Sequence, residues 1–196
     1  MSIPKIIHYC WFGDGPISPE SRKCMESWKK YCPDYKIMAW NEQNFDISAN
    51  RYAQQAYAAK KYAFVSDYAR LAVLYEYGGI YLDTDVELVR PLDELLEHKG
   101  FIGMEHSMPT PYGRTLLVNT GSGVGAEPGC GMIGKMLAAY RNAAFIQETG
   151  EPDLRTCTQR DTPLFTKAGL QQKNEQQELD GFLVLPTDCF SPFDYV

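Results

Sequence analysis

The stretch from Tyr77 to Val86 constrains the fold of this chain more than any other. It reads Tyr-Gly-Gly-Ile-Tyr-Leu-Asp-Thr-Asp-Val and follows a long helical pattern. Gly78 suits the end of a helix in the left-handed conformation, and Gly79 allows a backbone or a ligand to approach closely. Ile80 to Leu82 are too few and too apolar for a helix, so they predict a buried strand. The stretch therefore predicts a helix that feeds directly into a strand ending at two carboxylates.

The rest of the pattern alternates strands and helices, which is typical of α/β proteins. The β-favouring run from Lys5 to Phe12 predicts a central strand that ends in a glycine-rich loop. Ser18 can cap a helix that starts with Pro19, and the longest helical pattern runs from Asn50 to Tyr77. Further strands are predicted at 35–40, 101–105, 115–120 and 182–186, and further helices at 92–98, 131–140 and 164–170. Residues 171–180 are expected to be exposed.

Length and composition set broad limits. A chain of 196 residues fits one domain, residues 1–196, and is long enough to bury a core. The net charge of −6 argues against nucleic acid as a partner. Neither a signal peptide nor a spanning segment is visible, so we expect a cytoplasmic protein, with peripheral association at the inner face of the membrane left open. Six cysteines without a C-x-x-C motif favour free thiols over disulfides.

The two carboxylates of the opening stretch predict a metal site. Along a straight strand Asp83 and Asp85 point to the same side, so both can meet one cation. Carboxylate oxygens suit Mg²⁺ or Mn²⁺, and such an ion binds a diphosphate and neutralises a leaving group. The bare motif is weak, because a chain with this many Asp residues contains about one Asp-x-Asp pair by chance. Its neighbours must therefore support the assignment.

Asp67 and Arg70 are the first of these neighbours. They lie at i and i+3 on the helix that precedes the carboxylates, beside the apolar stripe Phe64, Tyr68, Leu71 and Tyr75. Buried charges persist only when they are paired or liganded. A plain helix salt bridge is the alternative, but the direct connection to the carboxylate strand favours a function.

Trp11 and His8 lie at or near the carboxyl end of the first strand, where α/β folds bind ligands. Trp11 offers a flat face to a nucleobase, with core packing as an equally weighted alternative. His8 on its own is more often a packed strand residue than a ligand. A metal, a polar pair and a stacking aromatic at neighbouring strand ends together predict a nucleotide-sugar site.

The sequence also resembles glycosyltransferase family 32, the family of DXD sugar-binding-region proteins related to the yeast α-1,6-mannosyltransferase and to bacterial capsular polysaccharide transferases. The opening run from Ile3 to Gly13 carries part of the resemblance, and the blocks Ala63 to Arg70 and Tyr77 to Asp85 carry its most specific part. The resemblance covers nearly the whole chain. It implies a GT-A-like, Rossmann-like α/β fold with a mixed sheet flanked by helices, a Mn²⁺ or Mg²⁺ cofactor and retention of anomeric configuration.

The resemblance also implies roles for individual residues. Trp11 would stack on the base, Asp67 and Arg70 would contact ribose and sugar, and Asp85 would bind the metal directly. Asp83 would contact ribose, sugar or metal. The implied catalytic residues are Asp67, Arg70, Asp83 and Asp85, and the implied nucleotide-sugar contacts are His8, Trp11, Asp67, Arg70, Tyr81, Asp83, Thr84 and Asn119.

The expected function is a metal-dependent, retaining hexosyltransferase. It would move a sugar from a UDP- or GDP-sugar to a saccharide or lipid-linked saccharide acceptor in surface polysaccharide synthesis. Two departures bear on this. Gly129-Cys130-Gly131 stands where family members often carry Gly-His-Pro, and the chain ends at Val196, before a family segment with His and Ser-Trp. We therefore expect donor binding more firmly than turnover.

Two alternatives remain at this stage. One is a catalytically silent sugar-nucleotide-binding domain. The other is a phosphatase of the haloacid dehalogenase type, whose Asp-x-Asp-x-Thr/Val letters match Asp83 to Val86. That class places its nucleophilic Asp on an early strand and uses a later acidic pair for Mg²⁺. Here the motif lies in mid-chain and no such pair follows, so the phosphatase is disfavoured.

Overall fold

A seven-stranded mixed sheet organises the protein in a computed structural model, which describes residues 2–193. The strands are β1 (Ile6–Cys10), β2 (Lys36–Trp40), β3 (Gly79–Tyr81), β4 (Gly100–His106), β5 (Leu116–Ala126), β6 (Gln177–Leu179) and β7 (Phe182–Leu185). Their order across the sheet is β2-β1-β3-β5-β4-β7-β6. β1 runs parallel to β2 and β3, β4 runs parallel to β7, and β5 runs antiparallel to both β3 and β4. The carboxyl ends of β1, β3, β4 and β7 therefore share one edge.

Helices cover both faces of this sheet. They are α1 (Pro19–Tyr31), α2 (Arg51–Ala58), α3 (Tyr62–Tyr77), α4 (Gly131–Ala139), α5 (Cys157–Lys167) and α6 (Thr187–Phe190). Neighbouring strand residues such as Ile80 and Tyr81 belong to two different apolar clusters, as the two-residue period of a strand requires. Helices α2 to α5 pack in one cluster, and α1, the segment 86–96 and α6 in the other. This architecture confirms the predicted mixed α/β fold.

The start of α1 was predicted correctly. The Ser18 hydroxyl accepts a hydrogen bond from the Ser21 N–H, and Pro19 occupies the first helical position. None of the helices within residues 2–193 has the length and apolar character needed to cross a membrane. All six cysteines are free thiols, as expected, and Cys10, Cys32 and Cys130 are buried.

The predicted single helix from Asn50 to Tyr77 is wrong, because the chain breaks it into α2 and α3. Lys60 adopts a positive φ of 56°, and the N–H of Lys61 donates to the carbonyl of Ala56, a bond that closes the end of α2. The predicted apolar stripe on α3 is also partly wrong, since Tyr75 is 42% exposed. Gly78 ends α3 with a positive φ, but its ψ of −163° is extended rather than left-handed helical.

The predicted helix at 164–170 is wrong in its bounds, since α5 starts seven residues earlier. Thr156 and Gln159 form a capping box at its start, a sequence signature that the polar character of the region masks. The region 171–180, expected to be merely exposed, contains β6. A tight turn at Asp180 and Gly181, both with positive φ, connects β6 to β7.

Two further elements differ in length from the prediction. The predicted helix at 92–98 shrinks to a single 3₁₀ turn at Asp93–Leu95. The predicted strand 115–120 continues as β5 through the glycine-rich run to Ala126. Side chains at Gly123 and Gly125 would collide with the rings of Phe190 and Phe101, so the glycines make room for aromatic packing. The single domain 1–196 stays a prediction, and its last residues, 194–196, lie outside the described residues.

Candidate active site

The two carboxylates lie in a turn and not on a strand. β3 ends at Tyr81, and the N–H of Asp83 then donates to the carbonyl of Gly121 on β5. The N–H of Val86 donates back to the carbonyl of Asp83 and closes the turn. Asp83 is half-buried whereas Asp85 is exposed. The expectation that both carboxylates project from one side of a straight strand is therefore wrong, although both still border the same openings.

Arg70 connects this turn to the helix that precedes it. One terminal nitrogen, Nη2, lies 3.2 Å from Asp67 Oδ1 and 3.3 Å from Asp83 Oδ1. The other, Nη1, donates to Thr120 Oγ1 on β5 at 3.1 Å. The guanidinium also lies 4.8 Å from the ring centre of Tyr81. The predicted Asp67–Arg70 pair is thus present, and Arg70, only 3% exposed, is held by α3, the carboxylate turn and β5.

The charges of this cluster offset one another. Burial opposes the charge on Arg70, but Asp83, Tyr81 and Asp67 hold its pKa above the ordinary value. Burial raises the pKa of Asp67, and the neighbouring guanidinium of Arg70 opposes that rise. Burial also raises the pKa of Tyr81, so its hydroxyl stays protonated and donates to Asp83 Oδ1 at 2.8 Å.

A cavity of about 500 Å³, here called the Trp11 cavity, opens beside this cluster. The indole N–H of Trp11 donates to the carbonyl of Gly15 at 2.7 Å, which fixes the ring at the cavity wall. Side chains at Gly13 would collide with the ring of Tyr62, so this loop packs closely on α3. The lining includes Cys10, Trp11, Tyr62, Ser66 and Arg70, together with the turn 83–85. Five predicted site residues, Trp11, Arg70, Asp83, Thr84 and Asp85, therefore meet at one opening.

His8 does not join them. Its side chain is fully buried, and it lies outside the lining of the Trp11 cavity. The indole N–H of Trp40 donates to its Nδ1 at 3.0 Å, which leaves the proton on Nε2 to donate to the Gly78 carbonyl at 2.8 Å. Burial lowers the pKa of His8 to about 4. The geometry gives His8 a packing role that ties β1 to the glycine turn.

Asn119 also occupies a different place from the one predicted. It lies inside β5, where the register with β4 shifts between Ile102 and Gly103, and not at a strand end. Its amide donates to Glu105 Oε2 at 2.5 Å, and its carbonyl oxygen accepts from the Gly121 N–H at 2.7 Å. Asn119 borders a second cavity that also contains Asp83 and Asp85.

The carboxylate turn offers oxygen ligands of the kind that a divalent cation prefers, but only a few of them. Among residues 2–193 no cluster of three or more His, Cys, Asp or Glu side chains is arranged to hold a metal. Asp83 Oδ1 already accepts from Tyr81 and Arg70, while Oδ2 faces Gly121, where a Cβ would collide with it. Carboxylate oxygens such as those of Asp83 and Asp85 are of the kind that suits Mg²⁺ or Mn²⁺, although the existing contacts of Asp83 restrict how it could bind a cation. A cation held here would take its other ligands from phosphate oxygens and water.

Sequence reasoning missed the support that α5 and β5 give to Arg70. Thr120 accepts from its guanidinium, and Cys157 Sγ lies 3.7 Å from Nη1 at the start of α5. Asp161 lies further along α5, is 1% exposed, and has no hydrogen-bond partner among the described residues for either oxygen. Burial raises its pKa to about 7. The capping box at the start of α5 is the sequence signal that could have placed Cys157 and Asp161 on a helix.

Comparisons with known proteins concern the region of the chain that contains this site. Residues 18–102 match the family described as "Glycosyltransferase sugar-binding region containing DXD motif". That match includes Asp67, Arg70 and the carboxylate turn. Over these residues the chain is therefore similar to DXD-type glycosyltransferases.

Individual relatives point the same way. Inositol phosphoceramide mannosyltransferase 3 of Schizosaccharomyces pombe is 32% identical over 112 residues, covering 52% of this chain and 29% of the relative. Inositol phosphoceramide mannosyltransferase 1 of the same organism is 30% identical over 111 residues, covering 51% and 33%. The chain spans about a third of the length of these relatives. The matches confirm the resemblance to glycosyltransferase family 32.

A solved structure supports the fold. The PaToxG glycosyltransferase superposes with a TM-score of 0.57 at 23% identity, covering 86% of this chain and 72% of that one. The likeness confirms a glycosyltransferase-type α/β fold for this chain. The family match also favours a glycosyltransferase over a haloacid dehalogenase phosphatase for the Asp83–Val86 letters.

Proposed function

We propose that the protein is a metal-dependent, retaining glycosyltransferase that uses a UDP- or GDP-sugar as donor. One observation carries the proposal: the Trp11 cavity brings an aromatic face, a buried guanidinium and two carboxylates to one edge of the sheet. An aromatic face suits a nucleobase, and the carboxylates suit a cation that binds a diphosphate. Ligands bind at this edge in open α/β sheets.

The protein residues would act mainly by holding and orienting the donor. Trp11 would stack on the base, and Asp83 and Asp85 would hold Mn²⁺ or Mg²⁺, which when bound neutralises charge on the diphosphate. Arg70 cannot swing freely, because Asp67, Asp83 and Thr120 hold it. A fixed guanidinium presents its charge without reorganisation during the reaction.

The transfer itself would proceed as follows. The bond between the anomeric carbon and the diphosphate oxygen breaks, and its electron pair leaves with the nucleoside diphosphate. The acceptor hydroxyl oxygen forms the new bond to the anomeric carbon, and its proton passes to the departing diphosphate. Asp67 is too buried and too firmly paired with Arg70 to serve as the base, so we assign it a positioning role.

The acceptor would be a saccharide or a lipid-linked saccharide in surface polysaccharide synthesis. The two relatives from Schizosaccharomyces pombe are mannosyltransferases of inositol phosphoceramide, which supports a hexose donor and an acceptor attached to lipid. The proposed location is the cytoplasm, with peripheral association at the inner face of the membrane. The net charge of −6 argues against nucleic acid as a partner.

Release of nucleoside diphosphate tests the proposal. A panel of UDP- and GDP-sugars, including mannose donors, would be incubated with the protein and Mn²⁺. Asp85→Asn should abolish release, and Trp11→Ala should weaken donor binding. Glu178→Gln, which changes an exposed carboxylate on β6, should leave both unchanged. Release that is equal in wild type and Asp85→Asn would contradict the assignment.

A catalytically silent sugar-nucleotide-binding domain is the second candidate. It is favoured by the metal site, which offers two carboxylates and no third protein ligand within residues 2–193. Binding of a nucleotide sugar without any release of nucleoside diphosphate would select this candidate. Measurable turnover would exclude it.

A further inference from the structure

A second cavity borders the carboxylate turn. It has a volume of about 600 Å³ and is here called the Phe190 cavity. It shares only Asp83 and Asp85 with the Trp11 cavity, and the rest of its lining comes from Cys24 on α1, from the segment 86–95, from β5 and from residues 185–193. Two cavities that meet at the same two carboxylates are the arrangement that a transfer between two substrates needs.

The Phe190 cavity has a polar part and an apolar part. The polar part surrounds Asp83, because Asn119 and Ser122 on the adjoining stretch of β5 line the cavity beside it. The apolar part is built from buried leucines and from the ring that names the cavity. Its main residues are Leu88, Leu92, Leu185 and Phe190. Such a lining suits a ligand with a hydrogen-bonding head and an apolar chain.

The apolar wall is a fixed feature of the fold. The ring of Phe190 stacks on Phe101 with centroids 5.8 Å apart and planes 12° from parallel. Side chains at Gly103 and Gly123 would collide with Phe190, so the sheet is shaped to receive this ring. Phe190 thereby anchors α6 and residues 191–193 as one side of the cavity.

The rim of the cavity exposes apolar surface. Val89 is 76% exposed and Phe193 is 87% exposed, and both belong to the lining. Large apolar side chains at the mouth of an apolar cavity mark a surface that a ligand can cover. The charge of the lining restricts the ligand further, since it contains three carboxylates besides the proposed metal ligands, Glu87, Glu94 and Asp188, against one cation, Arg90. This balance disfavours an anionic head.

We propose that the Phe190 cavity binds the acceptor, and that the acceptor is an amphiphile with an uncharged, hydroxylated head and an apolar chain. The head lies against Asp83, Asn119 and Ser122, and the chain lies along the leucines toward Val89 and Phe193. The role of this ligand as acceptor rests on the proposed function, whereas the binding of an amphiphile does not. The two can therefore fail separately.

The test uses methyl, hexyl and octyl β-D-glucosides below their micelle concentrations, titrated by isothermal calorimetry. Each methylene that enters the cavity should tighten binding roughly fourfold, so octyl glucoside should bind about tenfold or more tighter than hexyl glucoside. The heat-capacity change should become more negative with chain length, as apolar burial requires. Octyl phosphate, which has an anionic head, should bind more weakly than octyl glucoside.

Variants at the exposed rim localise the binding without disturbing the core. Val89→Asp combined with Phe193→Asp should weaken octyl glucoside at least tenfold and leave nucleotide binding unchanged. Tyr112→Asp, a matched change at a fully exposed aromatic residue outside both cavities, should alter neither. Equal affinity for all three glucosides would overturn the inference, as would unchanged octyl glucoside binding in the double variant.

Nucleotide binding is measured in the same samples and separates the two proposals. If UDP- and GDP-sugars fail to bind but glucoside affinity rises with chain length, the amphiphile site stands and the donor assignment falls. If the nucleotides bind but chain length has no effect, the donor site stands and the acceptor inference is wrong.

Discussion

Replacing Arg70 with methionine should destabilise the protein strongly, because it strands a buried carboxylate. Asp67 is 8% exposed and pairs with Arg70 at 3.2 Å. Removing one partner of a buried pair typically costs about 3–5 kcal/mol, since the remaining charge is left without compensation. Asp83 adds less to this cost, because its side chain is 38% exposed and water can replace the guanidinium.

A double-mutant cycle separates the pair from the packing. Asp67→Asn removes the stranded charge, so Arg70→Met combined with Asp67→Asn should be more stable than Arg70→Met alone. We expect a coupling free energy of at least about 2 kcal/mol between the two positions, at the upper part of the range for contacting residues. The change in packing when methionine replaces Arg70 occurs whether position 67 carries aspartate or asparagine, so it cancels in the cycle.

Urea unfolding at pH 7.5, followed by circular dichroism, measures these free energies. Lys173→Met, which removes an exposed ion pair with Glu175, should leave the unfolding midpoint unchanged. The cost of Arg70→Met should shrink as the pH is lowered, because burial raises the pKa of Asp67 and a proton removes its buried charge. A coupling energy near zero would refute the claim that Arg70 compensates the buried charge of Asp67.

Three further predictions concern buried groups around the site. His8 has its pKa lowered from 6.5 to about 4, so its contribution to stability should fall by up to about 3 kcal/mol as pH drops through that window, and urea unfolding of His8→Gln should lose less stability than wild type over the same change. Asp161 has its pKa raised to about 7, so the folded protein keeps a proton that the unfolded chain releases above pH 3.8. Its contribution to stability should fall as pH rises from 4 to 7, and Asp161→Asn should lose less stability than wild type over that rise in the same assay. Gly121→Ala should displace the Asp83 carboxylate and weaken Mn²⁺-dependent nucleotide binding in calorimetry. Gly131→Ala, where an added methyl meets open space, should leave that binding unchanged. Equal nucleotide binding by the two variants would contradict the role of the contact between Gly121 and Asp83.

The residue types at the site followed from sequence, but their geometry did not. The Asp67–Arg70 pair was predictable because i,i+3 spacing places both residues on one side of a helix. The carboxylate turn was not, because the bond from the Asp83 N–H to the Gly121 carbonyl joins residues 38 positions apart. The sequence around Asp83 does not show that the pairing of β3 with β5 ends at Tyr81, because β5 lies far away along the chain.

The elements of the fold divide in the same way. The start of α1 was fixed by Ser18 and Pro19, which act within one helical turn. The glycine-rich part of β5 depends instead on the rings of Phe101 and Phe190, which arrive from distant segments and fill the space above the glycines. The capping box at Thr156 and the Asp180–Gly181 turn were local signals, and both could have been used.

The most direct test of the account is calorimetric titration of UDP and GDP with and without Mn²⁺, in wild type and in Asp85→Asn. We predict that one nucleotide binds wild type, that Mn²⁺ strengthens the binding at least tenfold, and that EDTA reverses the gain. In Asp85→Asn the Mn²⁺ effect should disappear while metal-free binding at Trp11 persists. Absence of binding by both nucleotides, or a Mn²⁺ effect that survives in Asp85→Asn, would contradict the assignment of this cavity.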